Sequence, residues 1–266
     1  MVGAHRSGTT ATAGALSLLG LQLGQKLDSH HESKALQQMH EQYLHRVGAA
    51  WHKPQSFLDA IAKPAGEREC VDYLLGNDGN EFLKILSYRG NLRGWWLRSH
   101  LRAGAPWGWK EPRTTLFAPC WLRIFRQARI IDIVRHPVAV ALSIRERELQ
   151  FRAAGDHPIT GLDQIDYCVD LARKYVRQGA ALADLTHHYR RVRFEDLQED
   201  PTDVLRDLGT FCGLSFTDAQ LAEAARSIRP PEGSPWPRLN EEEQRQLAPL
   251  YPAIADLGYD VPANAR

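Results

Sequence analysis

The chain of 266 residues carries 33 basic and 32 acidic side chains, a formal charge of +1, so no global field points to nucleic acid or an anionic membrane surface. No apolar run approaches the ~20 residues a membrane span needs, and the start lacks the segments of a secretory signal. The length suits one domain over residues 1–266. Cys70, Cys120, Cys168 and Cys212 stand far apart without a C-x-x-C pair, which predicts reduced, buried thiols in a soluble cytoplasmic enzyme rather than a zinc site.

In chain order, the first feature is Val2-Gly-Ala-His-Arg-Ser-Gly-Thr-Thr10, which reads as a loop that cradles a phosphate. Such a loop turns its backbone N–H groups inward, and the helix that follows adds its partial positive charge. It matches the P-loop form G-x-x-x-x-G-K-[ST] except that Thr9 replaces the Lys; the cation sits inside the loop instead, at Arg6. The strand that feeds it has only Met1 to Ala4, so either it is short or the natural chain begins upstream. An apolar helix with Ala13, Leu16 and Leu19 is expected to stop at Gly20.

A loop with Asp28, His30, His31 and Glu32 leads to a helix from Ser33 to Val47. Residues 51–69 read as a helix-poor connection or a short helix between turns. Asn80 to Arg102 is helical in composition, with Trp95, Trp96 and Leu97 as pocket or core. Trp107-Gly-Trp-Lys-Glu-Pro-Arg113 starts as a short strand that leaves Lys110 at its C-terminal edge, and a helix with Phe117, Trp121, Leu122 and Phe125 follows. Arg129 to Arg135 is the clearest buried parallel strand, although Asp132 within it is unexplained by the pattern. His136-Pro137 opens a helix to about Gln150. One long amphipathic helix is expected over Leu162–Leu185, a strand over Tyr189–Phe194, a helix from Pro201 to Gly213, and a last helix over Asn240–Leu257. Strands alternating with helices predict an α/β, three-layer fold with a mainly parallel sheet flanked by helices.

Three strand ends then converge on one edge. They carry the Arg6 loop, Lys110, and Arg135 with Ser143 about two helical turns further on, so two separate anion sites are expected on one ligand. Here the sequence resembles the sulfotransferase family, enzymes that use 3′-phosphoadenosine 5′-phosphosulfate (PAPS). His5-Arg-Ser-Gly-Thr-Thr10 is similar to its 5′-phosphosulfate loop. Ile131-Asp-Ile-Val-Arg-His-Pro-Val-Ala-Val-Ala-Leu-Ser143 is similar to its 3′-phosphate motif. Trp109-Lys-Glu-Pro-Arg113, and Val192 to Leu197 with the helix ending Phe211-Cys-Gly-Leu214, resemble its later elements.

The resemblance implies a P-loop NTPase-like fold and in-line sulfuryl transfer. Arg6 and Lys110 would stabilise the leaving phosphate oxygen, and Ser7, Gly8, Thr9 and Thr10 would donate hydrogen bonds. Arg135 and Ser143 would hold the 3′-phosphate. No metal is implied, since the leaving phosphate is already a good leaving group; the adjacent pairs His30/His31 and His187/His188 point apart. Pro112 stands where cytosolic aryl and steroid members carry a His base, so Glu32 is the expected base, with His31, His30, Asp28 and Glu111 as alternatives. Arg113, Arg145, Arg147 and Arg152 are candidates for an acceptor cleft that favours an acidic glycan. Trp236, Arg238, Arg191 and Arg193 are candidates for adenine contacts. The acceptor is expected to be a glycan or other small molecule with a hydroxyl or amine. A P-loop kinase or NTPase, and a non-catalytic binder of nucleotide or glycan, are the competing readings.

Overall fold

The computed structural model of the protein describes residues 1–23, 27–76, 106–155 and 158–262. Among these, strands β1 (Val2–Gly3), β2 (Ile130–Val134) and β3 (Tyr189–Arg193) form a parallel sheet in that order. Gly3 pairs with Ile133, and Val134 with Arg193. The loop after Gly3, the turn at Arg135 and Phe194 therefore leave the sheet at one edge, the C-terminal edge where open parallel sheets bind ligands. The Lys110 segment joins less fully than its composition predicts. It makes isolated parallel bridges, Trp107 with Gln22 and Lys110 with Glu32, rather than a strand.

Helix α1 (Thr9–Leu18) starts at Gly8 and ends as Gly20 predicts. Gly20 has φ +101°; its N–H donates to the Ser17 carbonyl and that of Leu21 to Leu16, both at 3.0 Å, which closes the last turn. Ser33 caps α2 (Lys34–Arg46), its hydroxyl accepting from the Leu36 N–H at 3.3 Å. Two helices, α3 (Gln55–Ile61) and α4 (Pro64–Leu75), fill the stretch expected to be helix-poor. Pro54 and Pro64 act there as start signals, because proline is preorganised for a first turn.

Helices α5 (Thr114–Ile124) and α6 (Pro137–Ala153) fall where expected, while α7 (Ile165–Ala181) is shorter than predicted and tightens into a 3₁₀ turn over Leu182–Asp184. After β3 the chain enters α8 (Phe194–Glu199) directly, then α9 (Pro201–Cys212), which ends at Gly213 with φ +70°. Helix α10 (Asp218–Arg226), with a capping box between Thr217 and Gln220, has no counterpart in the sequence reading. The expected last helix is divided into α11 (Glu241–Leu247) and α12 (Tyr251–Ala255), because Pro249 and Pro252 remove ladder donors. The Asn80–Arg102 segment lies outside the described residues.

Alternation along β2 makes the layers. Ile131 and Ile133 pack with Leu16, Leu19, Leu197, Leu205 and Leu208, so α1 and α8–α10 cover one face. Ile130 packs with Ala118, Leu122 and Leu182 on the other face, beside the larger core built by α2 to α7. Asp132 also points to that second face and is explained by its partners. It accepts from Tyr189 Oη at 2.7 Å and from Arg191 Nε and Nη2 at 2.9 and 2.7 Å. A Cβ at Gly179 would lie 2.5 Å from its carboxylate, so glycine in α7 makes room for the pair. All four cysteines are free and buried.

Candidate active site

The site begins with backbone shape. Gly8 precedes α1 at φ +98°, and Arg6, not a glycine, is held at φ +70°. A left-handed arginine costs free energy, a form of strain concentrated at ligand clamps. Gly3, at φ +145°, is pinned from both sides by Thr115: its N–H donates to Thr115 Oγ1 at 2.8 Å, and that hydroxyl donates to the Gly3 carbonyl at 3.1 Å. A Cβ on Gly3 would meet the Ile133 carbonyl at 2.4 Å, and one on Gly8 would enter the Phe194 ring at 2.1 Å. Ser7 closes the turn, its N–H and hydroxyl both donating to the Ala4 carbonyl, at 3.2 and 2.8 Å. No side chain caps α1, so its first-turn N–H groups face the mouth of the loop as an anion cradle.

A cleft of about 420 Å³ opens over this cradle, within the usual range for ligand sites. Arg6, Gly8, Thr9, Thr10, Glu32, Arg135 and Ser143, all singled out from the sequence, line it. Arg6 Nε donates to Ser143 Oγ at 2.9 Å, and Arg135 Nη1 to the Arg6 carbonyl at 3.5 Å. The Arg135–Ser143 pair therefore meets the loop itself. Lys110 approaches from beneath: buried, its Nζ lies 2.8 Å from Glu32 Oε1 and 3.1 Å from Thr10 Oγ1. Burial pulls the Lys110 ammonium below its ordinary value, and Glu32 opposes that shift. Desolvation, followed by the guanidiniums of Arg147 and Arg135, likewise lowers Arg6.

Glu32 is aimed by the turn before α2. Asp28 Oδ1 accepts the N–H groups of His30 and Glu32, at 2.8 and 2.9 Å, which commits that oxygen to the turn. His31 lies against α1, 3.3 Å from where a Cβ of Gly14 would be, and His30 lines the cleft. Glu111 points away from the cleft. Its carboxylate contacts His40 Nδ1 at 2.5 Å and accepts from the backbone N–H and Nη1 of Arg113 at 3.1 and 2.6 Å. Trp121 Nε1, which can only donate, bonds His40 Nε2 at 3.0 Å; the proton on His40 therefore belongs on Nδ1, toward Glu111. Burial pushes the Glu111 carboxyl up, but His40 and Arg113 more than offset this and hold it at about 2.

Residues 1–218 match the family model described as "Sulfotransferase family". The chain belongs to the sulfotransferase family. Its fold is also similar to that of the sulfotransferase domain from the Synechococcus PCC 7002 olefin synthase, at 20% identity over 98% of this chain and 94% of that one, with a TM-score of 0.49. No curated protein matches the chain.

The sulfotransferase fold alters several expectations. Of the four arginines considered for an acceptor cleft, Arg113 is buried and spans Glu111 and Glu41, Arg145 pairs with Glu243, and Arg152 pairs with Glu148 and Asp163. Arg147 alone lines the cleft. None of the four residues considered for adenine lines the cleft, although Arg238 stands just behind it. Arg191 is bound to Asp132, Arg193 stacks on Tyr259, Trp236 donates to the Asp260 carbonyl, and Arg238 pairs with Glu232. The wall beside Arg135 is built instead from Phe194, Gln198, Ser227, Arg229 and Glu232. The signal for Phe194 and Gln198 was their place just after β3; Ser227 and Arg229 follow the unpredicted α10 and gave none. A larger hollow of about 980 Å³, with Trp107, Trp109 and Trp121 among its walls, carries none of the predicted site residues.

Proposed function

We propose that this sulfotransferase moves the sulfuryl group of PAPS to a hydroxyl, or an amine, of a carbohydrate or other small-metabolite acceptor. The observation that carries the proposal is one cleft with two anion grips, the loop of residues 3–10 and the Arg135–Ser143 pair, and a carboxylate beside the first. Two grips that adjoin where Arg6 meets Ser143 suit a nucleotide phosphorylated at two places. The open N–H groups and left-handed loop fit its 5′ end, and the guanidinium of Arg135 with the hydroxyl of Ser143 fits its 3′-phosphate. PAPS would supply the sulfuryl group and a phosphate that departs readily.

In that reading Arg6 and Lys110 neutralise charge that grows on the departing phosphate oxygen, with Gly8, Thr9 and Thr10 orienting the phosphate. Buried Ser7, expected to donate as well, spends both its donors on the Ala4 carbonyl and shapes the loop instead. Among the described residues two carboxylates line the cleft, Glu32 and Glu232. Glu232 lies at the far end, against Arg135 at 3.3 Å. Glu32 stands at the Lys110 end and accepts the proton of the attacking group. Four free, buried thiols support a reducing, cytoplasmic setting, and no described helix is long and apolar enough to cross a membrane.

The deciding experiment incubates the protein with sulfur-labelled PAPS and fractionated cell extract. A labelled product formed by wild type and absent with Glu32→Gln, which still binds the product nucleotide 3′-phosphoadenosine 5′-phosphate (PAP), is the expected result. Retained transfer by Glu32→Gln would give the base to His30. Failure to bind PAP, with ATP turnover stimulated by Mg²⁺, would instead establish a kinase or NTPase, and binding without transfer a non-catalytic protein.

A further inference from the structure

We infer that Arg147 selects the acceptor, and that the acceptor carries a carboxylate close to the hydroxyl that is sulfated. This rests on the PAPS-dependent reading above.

Arg147 lies four residues after Ser143 on α6, hence on the same face one turn further from the Arg135 end. It lines the cleft, whereas its neighbour Glu146 lines a different hollow with Leu142 and Arg238. Among the described residues no carboxylate or hydrogen-bonding group pairs with it. It rests on the Phe151 ring, 5.0 Å from Cζ to centroid. The arginines around it do not share this freedom, since Arg113, Arg145 and Arg152 are each neutralised by the protein's own carboxylates.

The donor already has its cations. In the proposed reading Arg6 and Lys110 serve one end and Arg135 the other, with Arg229 also in the wall beside it. Arg147 is a further positive charge, close enough to lower both Arg6 and His5 electrostatically. An unpaired guanidinium beside other cations is unfavourable unless a ligand brings the counter-charge.

His5 is a second, independent mark of the same subsite. It lines the cleft against Trp51, with ring centroids 4.3 Å apart, and its Nε2 is shielded from solvent with no hydrogen-bond partner. A buried polar atom of this kind calls for a partner, and a hydroxyl in the cleft that His5 lines would supply one. Burial, then Arg113, holds the imidazole well below its ordinary value, so neutral His5 can donate to or accept from an acceptor hydroxyl. Guanidinium for carboxylate and imidazole for hydroxyl together describe a hydroxy acid or a uronic acid.

The test uses protein saturated with PAP and ligand-observed NMR with two matched pairs: 4-nitrophenyl glucuronide against 4-nitrophenyl glucoside, and 3-hydroxybutyrate against 3-hydroxybutyramide. In at least one pair the acid should bind tenfold or more tightly than its neutral partner. Arg147→Gln should erase that difference, Arg147→Lys should restore part of it, and neither should change PAP affinity by more than about twofold. The responding pair tells uronic acid from hydroxy acid. Equal or undetectable binding of acid and neutral partner in both pairs overturns the inference while the donor reading stands. A loss of PAP affinity in Arg147→Gln overturns it too, by making Arg147 a nucleotide residue. Wild type that does not bind PAP removes the donor reading, and this inference with it.

Discussion

Lys110 holds Glu32 and Thr10 with one ammonium, so the proposed base and the loop share a charge. Lys110→Ala and Arg6→Ala are each expected to lower kcat by roughly 10²-fold, the usual cost of losing a preorganised charge at a transition state; a kcat within about twofold of wild type would remove that residue from the mechanism. Because Lys110 and Glu32 touch, the double variant Lys110→Ala/Glu32→Gln should lose less than the product of the two single losses, and multiplicative losses in steady-state assays would show that they act apart. Arg135→Ala should instead weaken PAP binding by about tenfold or more and leave the chemical step nearly intact, which titration calorimetry would read. At this scale the loop was legible because its residues are neighbours in sequence. The duty of Arg113 was not: Glu41 and Glu111 claim it through α2, and no local pattern records that a surface-type residue will be 4% exposed.

At the scale of elements, the Lys110–Arg113 turn is anchored from below by α2 and α5. Glu111 titrates at about 2 in the folded protein, below the ordinary carboxylate value, so it binds fewer protons folded than unfolded between those two values. Its contribution to stability is complete above the ordinary value and is lost as pH falls through about 2. Unfolding midpoints measured from pH 5 downward should therefore decline, and the Glu111→Gln protein should decline less steeply over that window. A slope shared by both would mean that other carboxylates govern acid unfolding. Element boundaries were readable where capping chemistry is local, as at Ser33, Gly20 and Pro137. They were misread where a proline's meaning depended on position: Pro54 and Pro64 open helices, whereas Pro249 and Pro252 divide one.

Across the molecule, the α/β fold was legible from one good strand, β2, and the helices that follow each strand. The third strand's alternation was visible too, and Asp132, a defect in the pattern, becomes sensible only when Arg191 arrives from β3 in register with it. What sequence could not give was which wall faces the far end of the cleft. That depends on how α8 and α10 fold back over the sheet edge.

One ring on that wall acts as a spacer. Phe194 lies flush against Gly8 on one side, where not even a methyl group would fit, and beneath the Arg135 guanidinium on another, 5.6 Å from its centroid. If the cleft holds the proposed bisphosphate nucleotide, the width of this ring sets the phosphate separation that fills both ends at once. Phe194→Leu should thus blur the choice between 3′,5′- and 2′,5′-bisphosphate isomers in competition binding, and an undiminished choice would mean that the distance is set by the backbone alone.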